Sequence, residues 1–111
     1  AFIDFQLCLK GKGINDLAYI IGNSVPREIA AANWESYIKQ WITCLSTHGI
    51  EYRLEDAIRD YQQAVLYYTV GAMSLIASFD TGNERGAAMA EAYVTRIFNH
   101  VVDTKARVIL E

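Results

Sequence analysis

The chain has 111 residues, 52% hydrophobic and 21% charged, enough for one globular domain with a real core. Its net charge of -3 comes without any Lys/Arg cluster, which excludes the basic footprint of a nucleic-acid binder. Cys8 and Cys44 lie far apart with no second Cys near either, so two free thiols, buried or half-buried, are expected rather than a disulfide framework or zinc ribbon. No secretory leader pattern is visible, and the expected location is the cytoplasm.

Phe2 to Leu7 alternates around two Phe and one Ile, predicting a short strand that ends at the breaker Lys10-Gly11-Lys12-Gly13. Asp4 lies inside this apolar run, where a charge calls for a cation, a donor network or solvent. With no initiator Met and a start in mid-strand, the chain reads as a piece of something longer. Asn15 or Asp16 is expected to cap a short helix through Leu17 to Ile21, stopped by Gly22-Asn23. Ser24-Val25-Pro26-Arg27-Glu28 then signals a restart, with a hydroxyl cap, a Pro in the first turn and an acid near the positive helix end.

Ala30, Trp34, Ile38, Trp41 and Leu45 recur at spacings of three and four and predict a second helix with one apolar face, closed by His48-Gly49. A third helix is expected from Leu54 or Glu55 to about Phe79, with Ile58, Tyr61, Val65, Tyr68 and Ala72 on one stripe and Glu55 pairing with Arg59 one turn on. Beyond Ala64 its apolar residues spread around the circumference, which marks the central helix of a bundle. No charge occurs between Asp60 and Asp80, but the strictly apolar part is shorter than the roughly 20 residues a bilayer crossing requires, so no membrane partner is expected.

Asp80-Thr81-Gly82-Asn83 forms a turn cluster before a last helix from about Glu84 to Arg107. In that helix Met89, Tyr93, Ile97, Val101 and Val102 are expected inward, and Glu91, Arg96, Asn99, Asp103 and Lys105 outward. The predicted fold class is mainly α, a short N-terminal strand followed by about four helices packed as a bundle, in a single domain over residues 1–111.

Few residues suggest chemistry by type and spacing. No Ser lies in a Gly-x-Ser-x-Gly elbow. His100 and Asp103 at spacing three supply two metal ligands with no recognisable third, and are read as a solvated face. Glu51, Glu55, Asp56 and Asp60 form an acidic patch that complements the third helix's dipole and is a candidate acid/base pair or site for a cationic substrate. Tyr61, Tyr67 and Tyr68 are read as core packing.

Asp4, Gly11 and Asp16 form a pattern: an acid on a strand, a loop glycine seven residues on, and Asp16-Leu17-Ala18-Tyr19 twelve residues after Asp4. This resembles the metal-binding segment of the aminoglycoside phosphotransferase and choline kinase-like superfamily. Ile3-Asp4-Phe5-Gln6 is most similar to the ecdysteroid kinase-like and related bacterial small-molecule phosphotransferases. The resemblance extends loosely through Leu54 to Tyr61 and implies the C-terminal subdomain of a protein kinase-like fold. It implies that Asp4 holds Mg²⁺ against the phosphates of ATP, a role suited to a hard carboxylate oxygen. Asp16 would cap its helix and brace the loop, and Gly11 would support that loop.

Lys12-Gly13 stands where many aminoglycoside enzymes have Asp-Pro, a departure that argues against an antibiotic substrate. The family's His-x-Asp motif with its Asn, the glycine-rich loop and the nucleotide-binding lysine belong upstream of the metal aspartate and are not in these residues. The resemblance therefore implies a fragment inactive alone, with neither Mg²⁺ nor ATP expected on this chain by itself. The helices after Asp16 would line the pocket for a small-molecule acceptor, with Asp56, Asp60 and Tyr61 as candidates. An exposed strand edge and uncovered apolar surface would favour homo-oligomers. The rival readings are a helical interaction module without enzymatic activity and a small ligand-binding bundle.

Overall fold

The computed structural model describes residues 10–78 and 82–111, Leu75 by its backbone only. The expected strand over residues 2–7 lies outside the described residues, as do Asp4, Cys8 and Phe79. The described residues contain no strand and form four helices, α1 (Ile14–Ser24), α2 (Arg27–Ser46), α3 (Leu54–Ile76) and α4 (Glu84–Asp103), followed by a 3-10 helix over Ala106–Leu110. None of these helices is long and apolar enough to cross a membrane.

The first helix begins earlier than a cap at Asn15 or Asp16 would allow. Gly13 is its N-cap and no side chain caps it; the Asn15 and Asp16 amides donate to the Lys12 and Gly13 carbonyls at 3.0 and 3.2 Å. Asp16 lies instead in the first turn, where a carboxylate favours the positive end of the helix dipole. Gly22 does not stop the helix, because it serves as a packing surface in the body of α1. Ser24 is therefore the last residue of α1 and cannot cap α2, which starts after Pro26 with no side-chain cap. Proline supplies the fixed φ and forfeits only an amide that a helix start leaves unpaired.

Ala30, Trp34 and Ile38 of α2 are buried and Trp41 is half-buried, so the apolar face predicted from spacing forms. The helix ends as its residues suggest. Gly49 takes φ +75°, a left-handed conformation that costs glycine little, and His48 Nδ1 lies 2.9 Å from the Cys44 carbonyl oxygen. Cys44 itself is exposed, contrary to a buried thiol.

The third helix touches every other element and is the centre of the assembly. Its first two-thirds bury Ala57, Tyr61, Ala64 and Val65. Its burial is nevertheless one-sided: Tyr67, Val70 and Met73, three residues apart in succession, are 65%, 66% and 58% exposed. The Asn83 side chain accepts from the Gly86 amide at 2.7 Å and caps α4.

That last helix stops at Asp103 rather than Arg107. Buried Thr104 turns its hydroxyl back to the His100 carbonyl at 2.6 Å, while Gln62 of α3 donates to the Thr104 carbonyl at 2.8 Å. The terminal carbonyls are thus satisfied without another helical turn. Lys105 then takes φ 53°, and the chain folds back to bury Ala106 against α3. Met89 and Val102, expected inward, are 53% and 70% exposed. The buried stripe of α4 runs instead through Ala90, Ile97 and His100.

Candidate functional site

Two polar centres lie on the assembly. The first joins the loop before α1 to the head of α3. Asp60 Oδ2 accepts from Lys12 Nζ at 2.7 Å and from the Tyr52 hydroxyl. The Tyr52 ring meets Trp41 of α2 edge-on at 5.3 Å, and a Cβ on Gly13 would lie 3.7 Å from the same indole. The loop is therefore held at its α1 end, by the Lys12 ammonium and by the packing under Gly13.

Burial disfavours the Asp60 carboxylate, but the Lys12 and Tyr52 bonds outweigh it and hold its titration below the ordinary carboxylate range. The same bond, with burial behind it, pushes Tyr52 up to about 12. Asp60 is thus an ionised acceptor already engaged by two donors. It organises a loop and is not a free base.

The remaining candidates do not converge on Asp60. Asp56 takes Arg59 at 2.9 Å, and Arg53 takes Glu55 at 2.8 Å, so the expected Glu55–Arg59 pair is replaced by Asp56–Arg59 and Arg53–Glu55. The arginine on the preceding loop reaches Glu55 first. Tyr61 follows Asp60 in sequence, but the helical turn carries its ring into the core, away from Lys12. Gly11 is exposed and only Asn15 approaches it, without a left-handed backbone that would demand glycine. Asp16 is exposed on α1. Among the described residues no three His, Cys, Asp or Glu side chains come together to hold a metal ion.

The second centre was not legible as a site. His100, read as solvent-facing, is 4% exposed, and its Nε2 lies 2.8 Å from the hydroxyl of fully buried Tyr61. Trp34 of α2 stacks on the Tyr61 ring at 5.6 Å and 25°. Gly22 of α1 closes the site, since a Cβ there would lie 3.1 Å from His100 Cδ2. With the ring proton on Nδ1, Nε2 accepts from the Tyr61 hydroxyl and gives that buried donor its acceptor.

Burial holds His100 below its ordinary value despite the nearby Asp103, and burial raises Tyr61. Asp103 does not join His100 as a ligand pair. It takes both Arg27 nitrogens, Nε and Nη2, at 3.0 Å each, tying α4 to α2 and holding its own carboxyl below the usual range. The missed signal was the spacing of Ala90, His100 and Thr104 with the inward Ile97, which places all four on one face.

The chain matches no protein-family model, no curated protein and no solved structure. The superfamily resemblance therefore rests on the spacing of Asp4, Gly11 and Asp16.

Proposed function

We propose that the chain is the C-terminal helical part of a cytoplasmic, ATP-dependent small-molecule phosphotransferase that moves the γ-phosphoryl group to a hydroxyl. The reading rests on the Asp4, Gly11 and Asp16 spacing. The observation that favours it is the anchoring of Lys12 on Asp60 and of Gly13 against Trp41, at the end of the loop that leads into α1. A metal-bearing carboxylate needs such a rigid support, because phosphoryl transfer is mostly positioning and charge neutralisation. The described residues supply no ligand set for Mg²⁺ and Asp60 is already engaged, so no chemical step is assigned to them. Their role in this reading is to fix the loop and wall the acceptor pocket.

The test begins with the coding sequence upstream of residue 1. An open frame encoding His-x-Asp, with Asn five residues after the Asp, is expected. The longer protein should convert Mg²⁺-ATP to ADP with a hydroxylated acceptor, and Asp4→Ala should abolish that conversion. A stop codon directly upstream, or activity indifferent to Asp4→Ala, overturns the reading.

A second reading, a self-associating helical module, is favoured by the exposed Tyr67, Val70 and Met73 row on α3. Sedimentation of the 111-residue chain as a compact monomer at high concentration counts against it.

A further inference from the structure

We propose that the buried Tyr61–His100 contact is a proton-operated latch: with a neutral imidazole it binds α4 to α3 and α1, and proton uptake releases α4. The inference is independent of the phosphotransferase reading. It stands on three geometric facts: the 2.8 Å bond, the burial of both rings, and the closure of the imidazole face by Gly22.

A protonated ring donates from both nitrogens, so Nε2 can no longer accept from Tyr61. The Tyr61 hydroxyl would have to accept instead and would lose Nε2 as the acceptor of its own proton, a loss that buried donors do not tolerate cheaply. The new charge would also find little compensation. From α1 the pocket beside the ring is lined by Gly22 and Asn23, neither of them titratable, and Asn23 offers a neutral buried Oδ1 rather than a countercharge. From α3 it faces Tyr61 and Tyr68, whose hydroxyls burial keeps protonated. On its own helix the nearest carboxylate is Asp103, already occupied by Arg27 of α2, while Arg96 is spent on the Asn23 carbonyl at 2.8 Å. The following 3-10 helix brings buried Ala106, and its Arg107 lies exposed towards Glu111.

Burial disfavours the imidazolium and Asp103 only partly offsets this, so the folded-state value lies below the ordinary 6.5. The unfolded chain then binds the extra proton first. The latch is fully engaged above 6.5 and loses grip as pH falls from there to the folded value.

The test uses the 111-residue chain carrying His48→Gln, so that one imidazole reports. Its ring resonances should titrate below 6.5, and opening of α4 amides in hydrogen exchange, corrected for intrinsic rates, should rise by up to about tenfold per pH unit below that point. Adding His100→Gln should remove that slope. An imidazole titrating at or above 6.5, or α4 opening that is flat from pH 7 to about 5, overturns the proposal. The ring titration needs no His100 variant, so a failure of His100→Gln to fold leaves the proposal testable.

Discussion

At His100 a single glycine decides how close two helices come. Gly22→Ala gains about 1 kcal/mol of helix propensity, but its Cβ meets an imidazole that Tyr61 holds in place, and such overpacking costs about 1–3 kcal/mol. The expected net is a destabilisation of about 1 kcal/mol in urea unfolding. Gly71→Ala is the control: it lies on the exposed face of α3 with nothing within 4 Å, and should stabilise by about 1 kcal/mol. Tyr61→Phe keeps the ring on Trp34 and strips Nε2 of its donor, a loss of about 1–3 kcal/mol by the same measurement. None of this was legible locally, because the partner of His100 lies 39 residues away in sequence.

Among the elements, α2 was the most legible, since the residues of its predicted apolar face from Ala30 to Leu45 are all buried or half-buried. In α4 they do not: Met89 and Val102 drew the predicted stripe towards themselves, while packing chose Ala90, His100 and Thr104, small or polar groups that allow close approach. The end of that helix was illegible for a related reason, since Thr104 is held by Gln62 from α3. Lys105 carries the resulting left-handed backbone, and Lys105→Gly should stabilise by about 1 kcal/mol in thermal or urea unfolding. Asp103 and Asp60 fasten α4 to α2 and the entry loop to α3. Both titrate below the ordinary 3.8, so their contribution is complete above that value and is lost as pH falls through their folded values. Arg27→Gln should shrink the loss of stability below pH 3.8, measured as urea midpoint against pH.

For the whole molecule, the bundle and the central place of α3 were readable from periodicity, whereas its one-sided burial was not: apolar residues around a helix do not say whether a partner covers each of them. Val70→Glu with Met73→Lys should lower any self-association seen by sedimentation while leaving far-ultraviolet circular dichroism unchanged, because both side chains are exposed. The candidate site was legible only in part. Asp60 was found by charge, but its fixed partners Lys12 and Tyr52 come from a loop and from another stretch of chain. The two indoles lie two turns apart on α2, and each touches a different centre: Trp34 stacks on Tyr61, and Trp41 meets Tyr52. The protein therefore carries its own pair of optical gauges. With Trp41→Phe the remaining emission colour follows the core beside His100, and with Trp34→Phe it follows the Lys12 and Asp60 anchor, so loosening at either place can be timed separately without an attached dye.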